Sequence, residues 1–320
     1  INLIADIRAI FILKNKIISE NIDIVIGHTP KGAMIAMIAA FLAGVSNRIY
    51  FRHGLMYETS RGIKKIMLKT IEKLTATLAT KVICVSESVM SKSNEERLNR
   101  SDKNFILNKG TCNGIDLAKF TLQNVNLDHI NHLREEYNIT KNDIIIGFVG
   151  RLVNDKGINE LLSAWRLLKL QYSNIKLLMV GPFEERDSIS IENKKYITLE
   201  SSIIHTGLIT NVLPYYSLMH IFILPSYREG FPTVVLEASA MEIPIITTKS
   251  TGCVDSIVEN ETGIFTEITP LGILEKIMYY LKNPTIAKSH GKAGREYVIN
   301  NFRQEIIWNE LYEKFLKKNK

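Results

Sequence analysis

Two glutamates, Glu229 and Glu237, stand eight positions apart in Pro225-Ser226-Tyr227-Arg228-Glu229-Gly230-Phe231-Pro232-Thr233-Val234-Val235-Leu236-Glu237-Ala238. A Gly-Phe-Pro turn follows the first of them. The apolar run at 221–224 upstream reads as a buried strand. Pro232 falls where the first position of a helix tolerates a missing N–H. Strand, turn and helix start together offer free backbone N–H groups and the positive end of a helix dipole, a seat for phosphate or carboxylate. Acidic side chains beside an anion seat need another task. Carboxylates accept hydrogen bonds from hydroxyls, so the ligand that suits both is a phosphate carrying polyols, a nucleotide-sugar. Helical glutamates commonly face solvent, but Glu229 lies in the turn itself. Glu237 interrupts an apolar run, where a charge needs a partner or a ligand.

A second stretch, Gly147-Phe148-Val149-Gly150-Arg151-Leu152-Val153-Asn154-Asp155-Lys156-Gly157, follows another apolar run and opens a helix near Gly157. Arginine grips phosphate oxygens as a bidentate fork, and lysine supplies a compact charge. Arg151 and Lys156 together suit a diphosphate leaving group, whose charge grows as its bond to the sugar breaks. The plain alternative is a loop with two solvated cations.

The elements that must position these residues alternate along the chain. Strands are expected at 23–27, 48–52, 82–85, 104–107, 144–149, 175–180, 203–206, 221–224, 243–247 and 263–266. Helices are expected at 4–18, 31–43, 62–79, 87–100, 157–172, 211–218, 232–241, 271–282, 284–300 and 303–318. This alternation predicts an α/β fold with parallel sheets and crossover helices. With 320 residues, two domains are expected rather than one. The polar stretch 124–142 places the boundary near 140/141. In open parallel sheets ligands bind at the carboxyl ends of strands, and each motif above directly follows one.

Glu229 and Glu237 in PSYREGFPTVVLEA resemble the paired glutamates of the retaining family 4 glycosyltransferases, with GRLVNDKG upstream and TGCVDSIVENETGIF downstream. Asn113-Gly114-Ile115-Asp116 followed by Phe120 is similar to the segment that leads into that family's interdomain linker. GHTPKG (27–32), FRHG (51–54) and VICVSE (82–87) resemble the bacterial branch that builds capsule, O-antigen and exopolysaccharide repeat units. The resemblance spans essentially the whole chain. It implies a GT-B fold, two Rossmann-like domains facing a cleft, with a last helix, for which 303–318 is suitably placed, returning residues 303–320 to the first domain.

The resemblance also implies roles. Arg151 and Lys156 hold the donor diphosphate, Glu229 contacts donor-sugar hydroxyls and Glu237 contacts the ribose. Backbone groups of Gly230, Phe231, Pro232, Thr233 and Val234 meet sugar and phosphate. His53 stands near the reacting sugar and His28 on the acceptor side, although a lone histidine is more often structural. Arg151, Lys156, Glu229 and His53 form the expected catalytic set. The donor is a nucleoside-diphosphate sugar linked through UDP or GDP, and the acceptor is a lipid-linked saccharide. Neither a DxD motif in the expected context nor a His/Cys cluster appears, so no metal cofactor is expected. One departure matters. The family's first strand leads into a glycine-rich loop, and none precedes Ile22.

That departure joins another observation. The chain begins at Ile1 with a helical pattern, whereas an α/β domain usually opens on a strand. We expect an absent N-terminal unit of about 30 residues or more, the alternative being a domain that starts with a helix. Cys84, Cys112 and Cys253 form no disulfide framework or metal spacing, which fits a reducing cytosol. No secretion signal is visible, and the longest apolar run is too short to span a bilayer.

The net charge is +7, and residues 1–140 carry 19 Lys and Arg against 13 Asp and Glu. The excess gathers in 61–81 at Arg61, Lys64, Lys65, Lys69, Lys73 and Lys81, opposed there by Glu72 alone. Ile63, Ile66, Met67, Leu74 and Leu78 share the segment at helical spacing. This pattern suits an anionic membrane surface as well as it suits an ordinary solvated helix. No nucleic-acid partner is expected. Two other functions stay open: a nucleotide-sugar epimerase of the same architecture, and a truncated chain that binds nucleotide-sugar without turnover. An oxidoreductase is disfavoured, because no G-x-G-x-x-G follows the early strands.

Overall fold

The computed structural model describes residues 3–317. The chain divides into two compact units. One comprises residues up to Asn113, Glu229–Phe231 and the segment from Glu305 on; the other comprises Gly114–Arg228 and Pro232–Gln304. Residues 114–140, placed with the first domain from sequence, therefore cluster with the second unit. Backbone pairing gives the reason. Ile115 N–H donates to the Phe302 carbonyl at 2.7 Å, and Gln304 N–H donates to the Ile115 carbonyl at 3.3 Å.

The first unit holds a parallel sheet of β1 (Ile24–His28), β2 (Asn47–Arg52), β3 (Lys81–Cys84) and β4 (Asn104–Ile106), in that spatial order. Side chains alternate across it. Tyr50, Val82 and Cys84 pack with Ala33, Met37 and Ala76 on one face, while Ile49, Phe51 and Ile83 pack with Ile307 and Phe315 on the other. The C-terminal segment thus covers one side of this sheet. It was expected as one helix over 303–318. It forms a helix at Gln304–Leu311 and then a wider π turn at Tyr312–Leu316, with residue 318 outside the described residues.

Buried polar groups lock β2 to its neighbours. Arg52 is fully buried, and its Nε donates to Glu72 Oε2 at 3.2 Å. Its Nη2 donates to Asn99 Oδ1 at 3.1 Å, and Tyr50 Oη donates to Glu72 Oε2 at 2.9 Å. Removing one partner of such a pair costs about 3–5 kcal/mol, because the other charge is stranded.

The second unit holds β5 (Ile144–Val149), β6 (Ile175–Val180), β7 (Ile203–His205), β8 (Ile221–Leu224), β9 (Ile245–Thr248) and β10 (Gly263–Thr266). They lie in the order β10-β9-β8-β5-β6-β7, with every strand pairing parallel. This is the doubly wound order, in which the chain reverses its direction of travel between β5 and β8. All four β8 side chains are buried, as a strand covered on both faces requires.

All ten expected strands form, within two residues of the expected ends. Two helices lacked a readable signal. Leu127–Glu136 lies in the polar stretch taken for a boundary, and Ile191–Leu199 is mostly polar. Capping starts both: Asn126 accepts from His129 N–H, and Ser190 accepts from Asn193 N–H. The helix expected at 87–100 stops at Glu95.

Candidate functional site

In the second unit the site is built where β5 and β8 lie side by side with their chains running on to opposite edges of the sheet. Ligands bind at such a switch point, outside the carboxyl ends of the two strands. The loop after β5 carries Arg151 and Lys156, and the loop after β8 carries Tyr227 and Arg228. A short turn at Asn154–Lys156 leads to Gly157, which starts the helix Ile158–Lys169 in the left-handed conformation at φ 69°. A Cβ at Gly157 would also overlap the Pro225 carbonyl, so only glycine lets the two loops meet.

Three further contacts join the second loop to the first and to the helix that follows it. Tyr227 N–H donates to the Asp155 carbonyl at 2.9 Å, and Tyr227 Oη donates to Glu160 Oε1 at 2.9 Å. Arg228 Nη2 donates to Asp155 Oδ2 at 2.7 Å. Thr248 Oγ1 and Ser250 Oγ both donate to the Ser226 carbonyl, fixing the start of the second loop from β9. Arg151 is exposed, and its Nη1 donates to Glu184 Oε2 at 2.5 Å. Lys156 is half-buried.

The helix Thr233–Ala240 follows, with Pro232 as its N-cap rather than its first helical residue. The proline ring fixes φ at −78° there, so it still sets the entry angle of the helix. Glu237, half-buried, has the partner that its apolar setting demanded. Tyr216 Oη donates to its Oε2 at 2.8 Å. Burial pushes the Glu237 carboxyl above the usual carboxylate range, against the hydrogen bond from Tyr216 and the positive charge of Lys119.

In the first unit the sheet ends at its own cluster. His28, the last residue of β1, and His53, which follows β2, meet with Nδ1 of the first 2.9 Å from Nε2 of the second. His28 stacks on Phe51, with centroids 4.8 Å apart and planes at 12°. Burial holds both imidazoles below the ordinary histidine range, and His28 lowers His53 further. Residues Glu229–Phe231 belong to this unit. A Cβ on Gly230 would overlap the His53 carbonyl, so glycine is what lets the turn approach His53 and Gly54. Phe231 packs against the core that contains Phe51 and Val85.

The expected site residues thus fall into two sets. His28, His53, Glu229, Gly230 and Phe231 lie in one unit, and Arg151, Lys156, Pro232, Thr233, Val234 and Glu237 lie in the other. Tyr216, Asp155, Arg228 and Glu184 were not singled out from sequence. Tyr216 sits in the apolar segment LPYYSL, where a tyrosine reads as core. The charged residues carry no spacing that marks pairing across loops.

Family models and similar proteins identify the family to which this fold belongs. Residues 129–297 match the family Glycosyl transferases group 1, and residues 2–102 match Glycosyltransferase Family 4. A capsular polysaccharide biosynthesis glycosyltransferase of Staphylococcus aureus, CapM, is 36% identical over all of this chain and 84% of its own length. The UDP-Gal:alpha-D-GlcNAc-diphosphoundecaprenol alpha-1,3-galactosyltransferase of Escherichia coli is 25% identical over 94% of this chain and 77% of its own. Among solved structures, Anabaena HepE in complex with UDP and glucose superposes with a TM-score of 0.80. It is 17% identical, with 95% of this chain and 81% of that chain covered, a likeness of fold. Two parallel-sheet units, a doubly wound order in the second, the matching family models and a relative 36% identical over all of this chain lead to one assignment: the chain belongs to the family 4 glycosyltransferases and has the GT-B fold.

Proposed function

We propose that this protein moves a sugar from a nucleoside-diphosphate sugar to a lipid-linked saccharide, with retention of anomeric configuration, during assembly of a cell-surface polysaccharide. The observation that carries the donor half is the switch point between β5 and β8. It gathers Arg151, Lys156 and the start of the helix bearing Glu237 at one end of one sheet. Arg151 and Lys156 neutralise the diphosphate, Glu237 accepts from the ribose, and Glu229 accepts from donor-sugar hydroxyls. Backbone groups from Gly230 to Val234 line the sugar and phosphate. His53 serves the reacting sugar and His28 the acceptor side.

In this reading the bond from the anomeric carbon to the diphosphate breaks as the acceptor oxygen bonds to the same face. The acceptor's proton passes to the departing diphosphate oxygen. Catalysis then rests on positioning and on electrostatic stabilisation of the leaving group. The two cations do the neutralising, so the reaction proceeds in the presence of a chelator. The acceptor's lipid places the enzyme at the cytoplasmic face of a membrane. Among the described residues no helix is long and apolar enough to cross one. The basic helix Gly62–Leu78 is the proposed surface contact.

The test is a panel of UDP- and GDP-sugars incubated with polyprenyl-diphosphate-linked saccharides in vesicles. The expected result is acceptor-dependent release of nucleoside diphosphate and an α-linked product from an α-linked donor. Nucleotide release without any acceptor would point to epimerisation. Binding without turnover would point to a chain that only holds the donor.

A further inference from the structure

Tyr216 is among the most deeply buried aromatic residues of the second unit, and its hydroxyl has a choice of acceptors. The Val234 carbonyl lies 3.3 Å away and Glu237 Oε2 lies 2.8 Å away. The shorter contact is the charge-assisted one, as expected for a carboxylate acceptor. The ring cannot follow a moving partner. Phe120 meets it edge-on at 6.1 Å, and Phe222 packs at 6.0 Å. Burial and the neighbouring carboxylate hold the phenol far above its usual range, so it remains a donor at every working pH.

We infer that Tyr216 is a positioning residue of the donor site: it occupies one oxygen of Glu237 and so orients the other toward a ribose hydroxyl. The inference rests on the reading of Glu237 as the ribose contact. A carboxylate offers about four lone-pair sites on two oxygens, and an unrestrained glutamate turns freely about its terminal torsion. Fixing Oε2 from within the protein removes that freedom and leaves Oε1 as a single, directed acceptor. Such a group discriminates against a nucleotide that lacks the matching hydroxyl, because the acceptor is then left unmatched.

The groups that bear on Glu237 are Tyr216 and Lys119. Lys119 acts through charge alone, so removing one oxygen from Tyr216 tests orientation without altering net charge. The experiment measures calorimetric affinity for UDP, 2′-deoxy-UDP and 3′-deoxy-UDP, and for the GDP series in parallel. It uses the wild type, Tyr216→Phe, Glu237→Gln and the double variant, with thermal midpoints recorded for each. The wild type is expected to prefer the ribonucleotide by roughly tenfold or more over one deoxy analogue. Y216F and E237Q each bring that ratio toward one, and the double variant matches E237Q, since Tyr216 acts only through Glu237.

A ratio that survives E237Q overturns the ribose reading itself. A ratio lost in E237Q but intact in Y216F leaves that reading standing and overturns the role of Tyr216. Additive losses in the double variant also overturn it, because Tyr216 would then act independently of Glu237; a merely structural tyrosine would weaken all nucleotides alike and leave the ratio intact in Y216F. Absence of binding by both UDP and GDP overturns the donor reading and the inference with it.

Discussion

Arg228 Nη2 and Asp155 Oδ2 lie 2.7 Å apart, and this ion pair ties the loop that leaves β8 to the loop that leaves β5. Both side chains are less than a third exposed, so solvent screens the pair only in part. The pair therefore fixes the spacing at the switch point more firmly than a surface pair would. A double-mutant cycle on Asp155→Asn and Arg228→Gln is expected to give a coupling of about 1–2 kcal/mol in urea unfolding. Each single variant should also raise KM for the donor. A coupling near zero would mean that the loops hold their spacing without the pair.

Arg151 donates to Glu184 at a point where, in the proposed complex, it grips the diphosphate. Arg151→Ala is expected to weaken nucleoside-diphosphate binding by about 1.5–3 kcal/mol, the range for a hydrogen bond to a charged group. Glu184→Gln should act in the opposite direction. Removing an exposed competing carboxylate strengthens binding by about 0.5–1 kcal/mol. Calorimetry on both variants checks the two signs together, and unchanged affinity in R151A would sink the assignment.

The sequence made the strands legible because parallel strands buried on both faces must be continuous apolar runs. β5, β6, β8 and β10 appear at the residues expected. Helices with polar faces and side-chain caps, such as Leu127–Glu136, offer no such run and were missed. That is also why residues 124–142 read as a boundary. The motifs placed Arg151, Lys156, Glu229 and Glu237 after strands, which is local information. Which residues meet across loops is set by strand order, and that order is not written in any short window. Tyr216 and Glu237 are 21 positions apart and face each other only after folding.

Glu237→Gln separates stability from binding. Burial raises the Glu237 carboxyl above its ordinary value, so its charged form is disfavoured in the folded state. The sign follows from linkage. A raised pKa means that its contribution is favourable below the unfolded value and is lost as pH rises through the folded one. Glutamine removes that cost, and the thermal midpoint at neutral pH is expected to rise. Nucleotide affinity falls by about 1.5–3 kcal/mol because a charged acceptor is gone. Thermal melts with and without UDP measure both terms. A variant that lost stability and kept affinity would contradict the ribose contact.

His28 and His53 share a short contact between ring nitrogens, so two positive charges cannot sit there together. Both imidazoles are held below the ordinary histidine range, and the pair is therefore neutral at pH 7. A depressed histidine contributes stability that is present above its unfolded value and lost as pH falls through its folded one. Acid should thus weaken this end of the sheet. His28→Ala removes one cause of the depression at His53 and opens its ring to solvent. The imidazole resonances of His53 are expected to titrate at higher pH in H28A than in the wild type, approaching the ordinary value. An unchanged or lower midpoint would show that His28 does not govern His53.

The helix Gly62–Leu78 presents an unusual surface. Ile63 is 86% exposed and Ile66 68%, while Arg61, Lys64 and Lys65 lie beside them. The acidic residue of this segment does not offset its charge outward, because Glu72 is turned inward to Arg52 and Tyr50. Lys69 pairs with Glu96, the residue just past the helix that stops at Glu95. A basic, apolar helix end of this kind matches an anionic bilayer, where each Lys or Arg near the surface contributes about 1 kcal/mol and a buried isoleucine about 1.5–3 kcal/mol. The protein is expected to co-sediment with vesicles containing anionic lipid and not with neutral ones. Binding should fall as salt shortens the Debye length from about 30 Å at 0.01 M to about 10 Å at 0.1 M. Replacing Ile63 and Ile66 together by glutamate should reduce binding by roughly tenfold or more while leaving nucleotide affinity unchanged, since neither residue belongs to the donor set. Equal binding to neutral and anionic vesicles, or no binding at low salt, would remove this helix from any membrane role.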